Sequence, residues 1–260
     1  MSTTTFIQMV RAELLRIRRR RSIMAIAAFF TVGVIVIYFG IGAIQHLADP
    51  GRYGPAGGVV NFNRATVILS IFFGSLAAIL LGTEAGTTDT SSGVFRDIVV
   101  TGRERLWLFA VRVPAALIVT MMLCLLALGV SLAAAYGFAG GLPSPGASYA
   151  IDSVLWVCAA EALLCVIAVG LGSLTGSRAA SLTALIGWQV IAGRLLAMIS
   201  FLGSARDVIP NIALGALKPG EQLPDTNGLS MSAGLAVAVL AIWLLAWVTA
   251  GAWRTRTRDA

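Results

Sequence analysis

The sequence contains few of the residues on which soluble proteins and most enzymes depend. Only 12% of its 260 residues are charged, against roughly 25% in ordinary soluble domains. It has one lysine, Lys218, and one histidine, His46. A P-loop needs a lysine followed by Ser or Thr to hold phosphates, and Pro219 follows Lys218, so the sequence contains no such site. A single histidine also gives no support to histidine-based intramembrane hydrolysis or metalloprotease chemistry.

Cysteine is scarce as well. The three cysteines, Cys124, Cys158 and Cys165, all lie within apolar runs. Cys158 and Cys165 are seven residues apart, or about 10 Å along a helix axis, which is too far for a disulfide. We therefore expect small buried side chains. The sequence predicts neither a metal site nor a cofactor bound directly by this chain.

Apolar residues are abundant, at 58% of the chain, and the mean hydropathy is +0.88. A helix needs about 20 apolar residues to cross the hydrocarbon core of a bilayer. Six stretches approach or exceed this length, at residues 22–44, 64–82, 107–136, 151–172, 180–203 and 232–253. The pattern predicts an all-α integral membrane protein whose single transmembrane domain covers residues 1–260.

The positive charges indicate how the spans are oriented. Fourteen arginines lie near span ends on the side of the membrane that carries both chain termini. The opposite side has only Arg52, Arg64, Arg206 and Lys218. Basic residues accumulate on the cytoplasmic side of membrane proteins. We therefore expect both termini in the cytoplasm, in a prokaryotic cell membrane. The net charge of +7 is explained by this bias, so no nucleic-acid partner is expected.

The residues before the first span have a helical apolar pattern. We expect an amphipathic helix over residues 1–21 that lies in the membrane interface. Its apolar positions are Phe6, Ile7, Val10, Leu14 and Ile17. The alternative is that this basic segment serves only as an ordinary topology signal and that the helical spacing of its apolar residues is accidental.

The polar connection at residues 83–106 contains an apolar segment in a loop predicted to face the cytoplasm. An apolar face in such a loop is typical of a partner-binding surface. The segment follows Glu84 and ends near a turn at Gly102 and Arg103. Its residues are Gly93, Val94, Phe95, Arg96, Asp97 and Ile98.

This connection resembles the coupling segment in the permease subunits of type-two ATP-binding-cassette (ABC-2) exporters. Glu84, Gly93, Arg103 and Arg112 match the acidic, glycine and basic positions of that family pattern. The family also has six spans, an N-terminal interfacial helix and a long last external loop. Residues 208–217 are the candidate for the short segment that dips back into the membrane in such loops.

The resemblance implies a transport subunit that exports a hydrophobic or amphipathic compound, such as a drug, a lipid or a peptide. ATP and magnesium would bind a separate nucleotide-binding ATPase subunit, and a second permease subunit, identical or different, would complete the path. The residues implied in coupling are Glu84, Gly93, Val94, Phe95, Arg96, Asp97, Ile98 and Arg103. The alternatives are an ATPase-independent secondary transporter or channel, a non-transporting membrane scaffold, and an intramembrane enzyme.

Two charges fall deep within predicted spans. Glu161 and Arg194 each lie about 14–15 Å below the predicted outer surface of the hydrocarbon core. An isolated charge at such depth costs about 2.5–3.5 kcal/mol by insertion scales. We therefore predict an ion pair between them. It would either lock spans 4 and 5 together or take part in the transport path.

Overall fold

The protein is built entirely from helices in the part of the chain that the structure describes. The structure, a computed structural model, describes residues 3–91, 105–220 and 231–257, and it has no β-strand in these ranges. Among these described residues, six helices are long and apolar enough to cross a membrane, which agrees with the predicted number of spans. Spans 1 to 6 are Arg21–Ala48, Gly58–Thr88, Leu106–Gly137, Ala147–Thr175, Arg178–Met198 and Ala233–Thr257.

An additional helix, Thr3–Arg19, precedes span 1. Arg20, which separates the two, has a non-helical backbone (φ −81°, ψ 75°). Met9 is buried on its apolar face and packs with residues at the start of span 3. Phe6 meets Trp107 edge to face, with the ring centroids 5.8 Å apart. A helix is therefore present within the predicted range of residues 1–21, and span 3 covers part of its apolar face.

Span 5 is shorter at its C-terminal end than the predicted 180–203. The helix ends at Met198, and Ile199 is extended (φ −77°, ψ 98°). A 3-10 segment, Ser200–Val208, follows and contains Gly203 with a φ of +49°. The prediction placed residues 199–203 in the span because hydropathy measures apolar character and carries no information on backbone conformation.

Spans 1, 2 and 5 each contain one π-helical turn of five residues, a local widening that often accompanies function. These turns are Phe29–Gly33, Ile68–Phe72 and Trp188–Ala192. The turns of spans 2 and 5 touch, because the Gln189 amide donates a hydrogen bond to the Ile71 carbonyl at 3.3 Å. Both irregular segments are thus held against each other in the interior of the bundle.

Spans 2 and 4 pack closely through small residues, as helices in lipid often do. A Cβ added to Gly82 would overlap with the carbonyl oxygen of Cys165. A Cβ on Gly86 would lie 2.6 Å from the carbonyl oxygen of Val169. Along this seam the two backbones are in direct contact, which leaves no room for larger side chains on span 2.

A short helix, Pro210–Ala216, lies between the spans after the 3-10 segment. The Trp156 indole of span 4 donates a hydrogen bond to the Leu214 carbonyl at 2.7 Å. Ala213 packs against Ala236 and Val239 of span 6. The apolar composition of this helix is explained by its burial among the spans.

Different interactions hold the helices together at the two ends of the bundle. At one end, which we call the Gly57 end, the Gly57 N–H donates to the Phe138 carbonyl and the Val59 N–H to the Pro143 carbonyl, both at 2.8 Å. These bonds join the loop after span 1 and the start of span 2 to the loop after span 3. The opposite end, which we call the Glu84 end, is held by side-chain charges.

Candidate functional site

Glu84 is the centre of a charged cluster at the Glu84 end of the bundle. Its side chain lies in span 2 and is only 2% exposed. Arg20 contacts Glu84 Oε1 through Nη1 at 2.5 Å, and Arg178 contacts Oε2 through Nη1 at 3.3 Å. We call these residues, with Thr88, the Glu84 cluster. One carboxylate thereby receives a separate arginine on each of its oxygens.

Local structure fixes each member of the Glu84 cluster. The Thr88 hydroxyl, one helical turn after Glu84, lies 3.0 Å from Glu84 Oε1 and 2.5 Å from the Glu84 carbonyl oxygen. Arg20 occupies the break between the N-terminal helix and span 1. Arg178 is the first residue of its helix, which Ser177 caps by accepting a hydrogen bond from Ala180 N–H. The cluster therefore joins span 2 to the starts of spans 1 and 5.

The electrostatics of the cluster are asymmetric. The carboxylate is buried, whereas the Arg20 and Arg178 side chains are each 40% exposed. A buried carboxylate is strongly destabilising once its cations are removed. The arginines keep access to solvent and can exchange partners at lower cost. The arrangement suits a fixed anionic anchor on span 2 that holds Arg20, before span 1, and Arg178, at the start of span 5.

The remaining predicted coupling residues lie outside the described residues. They are Gly93, Val94, Phe95, Arg96, Asp97, Ile98 and Arg103. The described helix of span 2 ends at Ser91, so the Glu84 cluster lies about two helical turns before this segment. Arg112, also part of the family pattern, is buried in span 3 at 2% exposure.

The predicted ion pair between Glu161 and Arg194 is absent from the described residues. Arg194 instead places its guanidinium over the Phe72 ring, 4.1 Å from the centroid. Glu161 is 2% exposed, and its Oε1 has no hydrogen-bond partner among the described residues. This oxygen is directed at Gly74 of span 2, where an added Cβ would lie 2.7 Å away.

The ion pair is absent because the side chains of Glu161 and Arg194 point toward different neighbours. Depth along a span gives no information on the direction in which a side chain points. Glu161 is directed toward span 2, while the π-helical turn of span 5 precedes Arg194 and changes the rotation of the residues that follow. The ring of Phe72 then supplies a cation–π partner.

A small cavity with a mainly apolar lining lies beside Arg194, between spans 2, 4 and 5 and the short helix Pro210–Ala216. Its volume is about 50 Å³, which is enough for a few waters, since one needs roughly 10–15 Å³. Ser70, Gln189, Arg194 and Asn211 supply its polar lining. Gln189 is 2% exposed, and its Oε1 has no hydrogen-bond partner among the described residues.

Sequence reasoning named Glu84 but not its partners. Arg20 and Arg178 were counted only as topology signals, because their positions near span ends suited that role. A signal was available: an acidic residue at a span end needs cations, and Arg20 and Arg178 begin neighbouring spans on the same predicted side. Gln189 was also missed, since one amide in an apolar run has no distinctive spacing.

Comparison with known proteins gives no assignment for this chain. No protein-family model matches the sequence, and no curated protein matches it either. The function must therefore be inferred from the residues and their geometry.

Proposed function

We propose that this chain is the membrane-spanning subunit of an ABC-2-type exporter, energised by ATP that a separate subunit hydrolyses. The observation that carries the proposal is the Glu84 cluster, in which Glu84 binds Arg20 and Arg178 at 2.5 and 3.3 Å. It joins the starts of spans 1 and 5 to span 2 just before the segment that resembles a coupling helix. A partner that pushes on this segment would move three spans together.

Several further features support the same proposal. Both termini would be cytoplasmic, which places the Glu84 cluster on the side where ATP is available. The N-terminal helix Thr3–Arg19 would lie at the cytoplasmic interface. The short helix Pro210–Ala216 would be re-entrant from the opposite side, since it packs among spans 4 and 6. A second permease subunit would complete the path for a hydrophobic or amphipathic compound.

A test of the proposal begins with purification of the tagged chain from its own host membranes. We expect an ATPase subunit to co-purify and to hydrolyse Mg-ATP. Phe95→Asp should abolish this association without changing the folding of the spans. Phe138→Asp, an exposed phenylalanine at the opposite end (46% exposed), is the matched control and should retain it. A chain that transports in ATP-depleted vesicles without any ATPase subunit would refute the proposal.

The orientation can be tested separately by thiol labelling. A cysteine at Gly51 should react with an impermeant reagent from outside, whereas one at Ser92 should not. Gly51 is suited to this purpose because an added Cβ there meets only the Asp49 carboxylate, at 3.6 Å. Gly57, in the same loop, is unsuitable because its Cβ would overlap with the backbone at Phe138. Labelling in the opposite sense would reverse the assigned orientation.

One observation favours a second function, ion-coupled secondary transport. Glu161 is a buried carboxyl group with no cation partner among the described residues, and such residues often mark proton or ion pathways. The two functions differ in their energy source. Transport that is abolished by a protonophore, by Glu161→Gln and not by ATP depletion would favour the ion-coupled function.

A further inference from the structure

We infer that a cavity between spans 1 and 2, at the Gly57 end, binds the phosphate-bearing headgroup of an anionic lipid. We call it the Arg52–Arg64 cavity after the two arginines in its lining. Its volume is about 580 Å³, within the range of roughly 300–1,000 Å³ that is usual for ligand sites. The inference does not depend on the transport function proposed above.

The cavity has an uncompensated positive charge. Arg52 and Arg64 line it, and no carboxylate is among its lining residues. None of the ion pairs formed between described residues involves either arginine. Asp49, in the same loop, accepts a hydrogen bond from the Arg52 backbone N–H at 3.2 Å. The Arg52 guanidinium lies over the Tyr53 ring, 5.5 Å from its centroid, and the Arg64 side chain hydrogen-bonds to that of Tyr38. Two guanidinium groups without a carboxylate partner among the described residues therefore line the cavity.

Hydrogen bonds hold the cavity walls in place before any ligand binds. The Tyr38 hydroxyl of span 1 donates to Asn61 Oδ1 of span 2 at 3.0 Å. The Asn61 amide in turn donates to the Gly57 carbonyl at 2.9 Å. His46 Nδ1 lies 2.7 Å from the Tyr53 carbonyl, which ties the loop to span 1. A preformed site of this kind loses little conformational entropy on binding.

The depth of Arg64 strengthens the case for a lipid. It is the seventh residue of span 2, so it lies about 9 Å along the helix from the first residue. An arginine inside a span is costly unless it is paired or reaches the interface. The planar guanidinium group binds phosphate through two parallel hydrogen bonds. A lipid phosphate is the anion that is available at this depth.

The apolar edge of the cavity distinguishes a lipid from free phosphate. Ile41, Val60 and Leu142 also line it and are 52%, 57% and 41% exposed. Aliphatic side chains gain nothing from contact with an inorganic anion, whereas they can pack against the glycerol and first methylenes of a lipid. The combination of a cationic pole and an aliphatic edge matches an amphipathic anion.

Native mass spectrometry of the delipidated full chain in detergent can test the site. Phosphatidylglycerol, phosphatidylcholine and inorganic phosphate are added in separate titrations. We expect one phosphatidylglycerol to bind more tightly than either of the other two. The double variant Arg52→Gln with Arg64→Gln should weaken its binding at least tenfold. The charge-preserving variant Arg52→Lys with Arg64→Lys should bind more tightly than the Gln variant and less tightly than the unmodified chain, because lysine keeps the charge and loses the paired hydrogen bonds.

A matched double variant controls for net charge. Arg11 and Arg254 are exposed and lie at the other end of the bundle, so replacing both by Gln removes the same charge. We expect this control to bind phosphatidylglycerol as the unmodified chain does. An equal loss in the control would show that the attraction is not local and would overturn the inference. Equal binding of phosphatidylcholine, or tighter binding of inorganic phosphate, would overturn it as well.

Discussion

The central spans 2 and 4 and the C-terminal span 6 differ far more in packing than in hydropathy. Span 4 has a mean hydropathy of 2.4 and span 6 one of 2.2, yet the buried share of their apolar windows is 72% and 11%. Span 2 is similar to span 4, at 67%, and span 5 is at 28%. Hydropathy therefore selects the segments that cross, and small residues determine which of them form the centre.

The C-terminal spans 5 and 6 meet the central spans 2 and 4 through apolar packing and a few polar contacts. Leu182 of span 5 and Leu240, Leu244 and Trp247 of span 6 pack against a cluster that includes Ile79 of span 2 and Ile167 of span 4. Span 6 meets span 4 where a Cβ on Gly170 would overlap with the Trp247 carbonyl. Span 5 is held to span 2 at one end by the Glu84–Arg178 contact and in the interior by Gln189.

The largest expected effect is at the central seam. Gly82→Ala inserts a methyl group against the Cys165 carbonyl, and overpacking of this kind costs about 1–3 kcal/mol or more. Gly234→Ala in span 6 meets nothing within 4 Å and should change stability by about 0.5 kcal/mol or less. Thermal unfolding in detergent measures both. Equal melting temperatures for the two variants would contradict the expectation that Gly82 is tightly packed and Gly234 is not.

The Glu84 cluster provides the next test, of how span 5 is held to the centre. Glu84→Gln removes the charge that holds Arg20 and Arg178. We expect a loss of about 1–2 kcal/mol, below the 3–5 kcal/mol for a fully buried pair, because both arginines keep access to solvent. Limited trypsin digestion should cut faster after Arg20 and Arg178.

Glu13→Gln is the matched control for this test, since Glu13 pairs with Arg16 within a single helix at 2.6 Å. It should leave cleavage after Arg20 and Arg178 unchanged. If both variants accelerate this cleavage equally, the Glu84 cluster does not hold the spans together.

A double-mutant cycle sharpens the same comparison inside the membrane. Because Glu161 and Arg194 form no ion pair among the described residues, Glu161→Gln and Arg194→Gln should have additive effects on stability, within about 0.5 kcal/mol. The cycle on Glu84 and Arg178 should show coupling beyond this limit. Coupling between Glu161 and Arg194, together with no coupling between Glu84 and Arg178, would contradict the contacts described for both pairs.

The smallest effect is expected on the exposed face of span 6. Leu245 is 59% exposed, so Leu245→Ala should change the stability of the purified single chain by no more than about 0.5 kcal/mol. Chemical unfolding followed by tryptophan fluorescence measures this change. A loss of 2 kcal/mol or more, the range found for buried leucines, would show that the face is covered in the purified protein.

The sequence predicted some parts of the candidate site and not others, for reasons that particular residues illustrate. Glu84 could be identified because a charge at a span end stands out against an apolar background. The ion pair of Glu161 with Arg194 was predicted from depth alone, and it is absent because rotation about the helix axis also matters. The π-helical turns at Ile68–Phe72 and Trp188–Ala192 alter that rotation and left no recognisable pattern in the sequence.

The sequence by itself determined six membrane crossings and a strong charge bias between the two ends. Both follow from the free energy of transferring individual side chains, which depends on composition and needs no knowledge of neighbours. Only the tertiary structure decided that Glu84 meets Arg20 and Arg178, which are 64 and 94 residues away. It also decided that Arg52 and Arg64 share one cavity. Such contacts depend on how the helices rotate and pack, and close approach at residues such as Gly82 fixes both.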